Sequence, residues 1–311
     1  MTRLPPFRTG KRRVEKGHVH ATDDLEIPFA VIEGAQEGPR LLVTAGVHGS
    51  EFCSIEAALR LVRKPPENLK GTLVVLPILN TQAFMRRSIY VMPQDGKNLN
   101  RVFPGKVDGT ASERLAHWLV TTVYPEVDAY LDLHGGDLDE SLVPFSLFPN
   151  GSEASLGLAS AFGLSIAVSA GGEGYTINAA HKVGVPGIIA EVSGNGLWDD
   201  NSVGALTAGV QRVMKHLDMI PGPVQAAAQE RPQVVKMWVP PAPVAGLWYP
   251  AKELSEPVAA GETLGEIRDV FGEVLATIPS QESGFILYRL TSLSVNKGEA
   301  LLGVATPVSG K

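Results

Sequence analysis

His48 and Glu51 stand three residues apart in Leu41-Leu42-Val43-Thr44-Ala45-Gly46-Val47-His48-Gly49-Ser50-Glu51, directly after an apolar run with the character of a buried strand. An imidazole nitrogen and a carboxylate oxygen are both ligands that a catalytic zinc accepts, at about 2.0–2.2 Å. The carboxyl end of a strand is also where sites form in open α/β sheets. Gly49 is expected to let the chain turn tightly enough to aim both side chains at one point. Taken alone, H-x-x-E is a weak signal, because a surface histidine near a helix-starting glutamate gives the same pattern.

Further residues raise its weight. Asp132-Leu133-His134 closes a second apolar run, Val127 to Leu133. Residues i and i+2 share one face of a strand, so Asp132 is placed to orient the His134 imidazole from behind. Glu191 closes a third run, Ile188-Ile189-Ala190. A carboxylate there is seldom buried unless paired or functional, and burial raises its pKa toward that of a usable general base. Asn100-Arg101 sits in a polar loop with Arg86-Arg87 upstream. A guanidinium fork beside an amide donor matches a carboxylate with two parallel hydrogen bonds. The ordinary readings are a core histidine for His134 and a turn-stabilising arginine for Arg101. Convergence decides between them: if the three strands are parallel, His48, His134 and Glu191 meet along one edge of a sheet.

The elements needed for that convergence are legible. Strands are predicted at 25–32, 40–46, 71–78, 127–133, 166–169 and 187–192, and helices at 51–63, 153–162, 177–183 and 203–217. A further helix is predicted from Ser112, as its cap, to about Val123. Strands alternating with helices imply a largely parallel sheet covered on both faces. Gly171 to Asn178 lies just upstream of the Glu191 strand and is expected to line the pocket, which makes Tyr175 and Asn178 candidate substrate contacts. Residues 218–243, rich in Pro, Gln and Ala, read as a linker. Beyond them, short apolar strands alternate with Gly-containing turns and predict a small all-β domain. The division is 1–235 and 236–311.

Composition sets bounds. The 311 residues are 44% hydrophobic and 19% charged, enough for a substantial core, and the net charge of −6 offers no general attraction to nucleic acid. The basic cluster Arg3, Arg8, Lys11, Arg12, Arg13 and Lys16 reads as a solvated, partly mobile arm. Cys53 is the single cysteine, which rules out an internal disulfide. It reads as a packing residue on the far side of the helix from Glu51. With no signal peptide and no long apolar run, a soluble cytoplasmic protein is expected, without nucleic-acid or membrane partners. A homo-oligomer is left open.

His48-Gly49-Ser50-Glu51, the loop Asp95 to Gly105, Asp132-Leu133-His134 and the Glu191 strand together resemble the succinylglutamate desuccinylase/aspartoacylase family of the wider zinc carboxypeptidase group. The resemblance runs from about Leu25 to the C-terminus. It implies an α/β fold with a mixed, largely parallel sheet covered by helices, and a small C-terminal β domain similar to a lipoyl/biotinyl-type sandwich. That domain has no lysine around Asp269-Val270-Phe271-Gly272-Glu273 for a prosthetic group, so a structural or pocket-covering role is expected. The resemblance further implies one Zn2+ per chain held by His48, Glu51 and His134, with Glu191 activating the water. Arg87, or its neighbour Arg86, would polarise the scissile carbonyl, and Asn100 and Arg101 would hold a substrate carboxylate. The reading that follows is a zinc-dependent deacylase of a small N-acyl amino acid. A zinc carboxypeptidase for short peptides and a non-catalytic metal- or ligand-binding protein are the alternatives.

Overall fold

The computed structural model describes residues 4–223 and 231–308. Arg3 and the middle of the 218–243 segment lie outside them. The chain order is β1 (Arg13–Thr22), β2 (Leu25–Glu33), β3 (Gln36–Ala45), α1 (Phe52–Arg63), β4 (Lys70–Leu76), α2 (Thr81–Arg86), α3 (Ala111–Trp118) and β5 (Ala129–His134). There follow β6 (Glu140–Leu142), β7 (Phe145–Pro149), α4 (Glu153–Phe162), β8 (Ile166–Ala170), α5 (Thr176–Lys182), β9 (Gly187–Glu191) and α6 (Asp200–His216). The remaining strands are β10 (Gln233–Trp238), β11 (Gly246–Pro250), β12 (Pro257–Val258), β13 (Thr263–Arg268), β14 (Val274–Pro279), β15 (Gly284–Leu290), β16 (Ser294–Val295) and β17 (Leu302–Pro307).

The main sheet runs β1-β2-β4-β3-β5-β9-β7-β8-β10-β17-β15-β12, with β6 paired to β15. Its centre, β4-β3-β5-β9, is parallel. β7 then turns antiparallel to β9, so the sheet is mixed. Both faces of the centre are covered, which is why these strands read as nearly continuous apolar runs. Leu41, Val43, Ala45, Leu131, Leu133, Ile188 and Ala190 pack on one face with residues of α1, α4 and α6. Leu42, Tyr130 and Ile189 pack on the other with α3 and α5. A four-stranded antiparallel sheet, β14-β13-β11-β16, forms the C-terminal β region, and its core includes Trp248, Leu264, Ile267 and Ile278 together with Ile286 and Val304 of the main sheet. The hydrogen-bonded main sheet thus crosses the 235/236 division, which stands as a proposal about organisation.

Four local expectations change. Residues 13–22 are not part of a mobile arm: they pair along β2, and Arg13 holds Glu33 through a 3.0 Å ion pair. Asn80 to Arg87, where no element is predicted, contains α2, capped by the Asn80 carboxamide accepting the Ala83 N–H at 3.1 Å. The cap of α3 is Thr110, whose N–H donates to Glu113 (2.9 Å) in the T-x-x-E arrangement of a capping box. Ser112 lies inside the helix, its N–H and hydroxyl both held by Asp95 at 2.8 Å. Finally, 233–238 of the supposed linker is β10, which bridges β8 and β17. Among the described residues, no helix is long and apolar enough to cross a membrane.

Candidate metal centre

Register puts the polar groups in rows. His134 pairs with Glu191 across β5 and β9, and Asp132 pairs with Thr44 across β5 and β3. By the two-residue alternation of strands, Thr44, Asp132, His134 and Glu191 share the α3/α5 face. His48 follows β3 by three residues, so its turn drops its side chain onto the same carboxyl-terminal edge. The turn is close-packed: a Cβ on Gly49 would lie 2.1 Å from Phe84 N and 2.2 Å from the Ala83 carbonyl carbon. Glycine is required there by the approach of α2, not by a left-handed backbone.

His48, Glu51 and His134 are all buried, with ligand atoms within 4.8 Å of one another. Glu51 lies between the imidazoles: its Oε1 is 2.6 Å from His48 Nδ1 and its Oε2 is 3.0 Å from His134 Nδ1. Both rings therefore turn Nδ1 toward the carboxylate and hold Nε2 behind. His48 Nε2 meets Asn98 Oδ1 at 3.1 Å. His134 Nε2 is 3.1 Å from Asp132 Oδ2, though without the alignment of a hydrogen bond. Asp132 is itself anchored by the hydroxyls of Thr44 (2.5 Å) and Thr176 (2.6 Å). Two nitrogens and a carboxylate converging with polar support behind each ring form a donor set that fits Zn2+ and leaves a fourth position for water or substrate.

Electrostatics follow from burial and proximity. Burial would raise the Glu51 carboxyl, but the His134 and His48 imidazoles outweigh it and hold its pKa low. Burial disfavours a charged His134, yet the Glu51 and Asp132 carboxylates raise its pKa well above the usual imidazole range. Glu191, its side chain 16% exposed and its Oε1 3.9 Å from His134 Nδ1, is pushed well above the usual carboxylate range. Burial is the main cause; His134 opposes it, and Glu51, Glu140 and Asp132 add to it. Burial and the Glu51 charge also raise Asp137 to about 6, against the Tyr90 and Leu138 N–H donors. Glu140 rises to about 8, chiefly through burial.

The other candidates divide. Asn100 is buried, and its Oδ1 accepts the Thr176 N–H at 2.9 Å. Arg101 is exposed; its Nη1 donates to the Asn100 carbonyl (2.8 Å) and its guanidinium lies 4.6 Å above the Tyr175 ring. Asn178 is buried and donates to the Gly172 carbonyl at 2.7 Å, with its own Oδ1 unpartnered. The Asn100-Arg101 loop and the 171–178 loop are thereby joined. Gly174, at φ +96°, lets them touch, since a Cβ there would lie 2.7 Å from the Arg101 carbonyl oxygen. Arg86 and Arg87 are exposed at the end of α2, and neither side chain has a hydrogen bond or ion pair among the described residues. Cys53 packs in the core, and burial pushes its thiol up to about 12.

Sequence reasoning assigned no role to Asn98, Tyr90, Asp137, Glu140 or Tyr288. Tyr90 presents its ring edge-on to His48 at 5.6 Å, donates its hydroxyl to Glu140 (2.8 Å), and gives its N–H to Asp137 (2.9 Å). Tyr288 arrives from β15 through its pairing with β6, close enough to feel the charges of Glu140 and Arg101. Asn98 was within reach, since it opens the N-x-N-R run. Tyr288 carries no sequence signal, because only the sheet brings it near. Two surface clefts, of about 160 and 460 Å³, lie beside Pro65-Pro66-Glu67 at the opposite edge and include none of these residues.

A family model described as the succinylglutamate desuccinylase/aspartoacylase catalytic domain matches residues 37–217. The N-alpha-acetyl-L-2,4-diaminobutyric acid deacetylase of Halomonas elongata is 28% identical, the match covering 91% of this chain and 86% of that one. Among solved structures, the succinylglutamate desuccinylase/aspartoacylase from Rhodobacter sphaeroides superposes with a TM-score of 0.83 at 25% identity, covering 99% of both chains. The product-bound ectoine utilization protein EutE (DoeB) from Ruegeria pomeroyi gives 0.84 at 25% identity, covering 97% of both.

Proposed function

This chain belongs to the succinylglutamate desuccinylase/aspartoacylase family, and on that premise we propose that it is a zinc-dependent amidohydrolase that removes the acyl group from a small N-acyl amino acid. One Zn2+ per chain is held by His48, Glu51 and His134. The observation that carries the reading is their convergence with Glu191 on the carboxyl ends of adjacent parallel strands. Zn2+ in this donor set supplies Lewis acidity, polarising a carbonyl and lowering the pKa of water to about 7.

The protein's own groups supply the rest. Glu191 takes the proton of the water whose oxygen bonds to the amide carbon. The C–N bond then breaks, and the same carboxyl returns that proton to the leaving nitrogen, giving a carboxylic acid and a free amine. Asn100 and Arg101 hold the substrate's carboxylate, and Arg87, or Arg86 beside it, faces the scissile carbonyl. The Halomonas elongata relative makes N-α-acetyl-L-2,4-diaminobutyrate the first substrate to test, and favours deacylation over peptide cleavage.

Metal analysis of the purified chain is expected to give about one zinc. Chelation should abolish acetate release and added Zn2+ should restore it. His48→Ala should lose both metal and activity; full zinc occupancy in that variant would refute the ligand assignment. Turnover of dipeptides but not of N-acetyl amino acids would favour the carboxypeptidase alternative.

A further inference from the structure

Asn98 Oδ1 is approached from two sides. The Asn100 backbone N–H reaches it at 2.8 Å and His48 Nε2 at 3.1 Å. A backbone N–H can only donate, so the Asn98 atom facing it is the carboxamide oxygen and not the NH2. An acceptor at that point is matched by a proton on His48 Nε2, and a metal bound at Nδ1 would fix that tautomer. The same oxygen caps the short 3-10 turn Leu99–Arg101. That turn carries Asn100, locked to Thr176, and Arg101, stacked on Tyr175. One atom therefore joins a metal-ligand ring to the turn that aims the guanidinium.

We propose that Asn98 is the positioning residue through which metal occupancy and recognition of the substrate carboxylate are coupled. Fixing the His48 ring on a metal fixes the Asn98 oxygen and with it the turn; a carboxylate that holds the turn favours the ring orientation that binds metal. Such linkage is reciprocal, so each ligand tightens the other by the same factor. The inference rests on the carboxylate-clamp part of the function proposed above.

The test uses the full chain carrying Glu191→Gln, so that bound ligand is not consumed. Zinc affinity is measured by competition with a chromophoric chelator, alone and with saturating N-α-acetyl-L-2,4-diaminobutyrate or its carboxamide. Both ligands present the same acyl carbonyl, so the difference between them isolates the carboxylate. The acid should tighten zinc binding roughly fivefold or more beyond the amide, the lower end of common coupling factors. Asn98→Leu should weaken zinc binding by ~10–100-fold, the usual effect of losing a group that orients a ligand, and should erase the acid-specific gain. Asn98→Asp keeps an acceptor for both N–H groups and should restore both quantities. Asn98→Ala reads the same two quantities should the leucine variant fail to fold. A variant lacking the oxygen that keeps its zinc affinity, or keeps the acid-specific gain, would overturn the coupling. If the parent chain binds acid and amide equally well, the clamp itself fails and the coupling with it. Discrimination without any effect on zinc would sink the coupling alone.

Discussion

At the scale of single residues, Glu51 and Glu191 sit in opposite electrostatic environments. Glu51 lies between two imidazoles that hold its pKa low, while burial raises the pKa of Glu191, two strands away from His48, in the direction a general base needs. Glu191→Gln keeps the shape and removes the proton acceptor. Zinc content and ligand affinity should survive while kcat falls by ~10²–10⁴; loss of zinc or of the fold would make Glu191 a ligand or a structural residue instead. Arg101 is the second case. If it only pinned its loop, its partners would be backbone carbonyls or Asp95. It does hold the Asn100 carbonyl, but Asp95 is engaged with Ser112 and Lys97, and the guanidinium is stacked in the open on Tyr175. Lysine keeps the charge without the fork. Arg101→Lys should lower kcat/KM for an N-acyl amino acid by roughly one to two powers of ten, about 1.5–3 kcal/mol for a hydrogen bond to a charged group. A substrate with its carboxylate amidated should be hardly affected. Equal losses on both substrates would mean that Arg101 serves only its loop.

At the scale of elements, the His48–Glu51 turn depends on α2, which apolar periodicity did not reveal because it is only six residues long. Its backbone at Ala83 and Phe84 presses on Gly49 so closely that a methyl group has no room. Gly49→Ala must displace either α2 or the ligand turn. It should destabilise the fold by about 1–3 kcal/mol, as overpacking does, and weaken zinc binding at the same time. Thermal unfolding and chelator competition read the two effects; wild-type values in both would show that α2 yields freely. Short elements of this kind hide from sequence reasoning because their stability comes from packing and caps, not from length.

Across the whole molecule, one buried carboxylate helps tie the segment before the edge strand β1 to the sheet. Glu33, 5% exposed at the end of β2, accepts the Thr9 N–H, the Thr9 hydroxyl and the Gly10 N–H at 2.7 Å each, and Arg13 Nε at 3.0 Å. Burial alone would raise its pKa, but the Thr9, Arg13 and Gly10 donors together lower it from 4.5 to about 2. The unfolded chain therefore binds more protons between those values, and stability rises with pH across that window. The contribution is complete above about pH 5 and is lost as pH falls toward 2. Glu33→Gln should cost about 1.5–3 kcal/mol near neutrality, the range for hydrogen bonds to a charged group, and the gap should close below pH 4. Denaturant titrations across that range provide the check; a gap independent of pH would mean that shape, not charge, is what Glu33 supplies.

The sequence by itself determined the centre of this protein. Buried parallel strands are apolar on both faces, so a polar residue closing such a run stands out, and His48, His134 and Glu191 did so one after another. The sequence also carried Asp132 behind His134, since strand alternation is a local rule. Tertiary structure decided what no local rule reaches. It made Asn98 a partner of His48 across 50 positions, brought Tyr90 beside the same ring, and carried Tyr288 to the site on a strand paired with β6. It also drew 233–238 into the main sheet, where a Pro- and Gln-rich surround suggested a linker. Periodicity reports which face a residue presents, whereas hydrogen-bonded register between distant strands and the close approach of loops are properties of the folded chain alone.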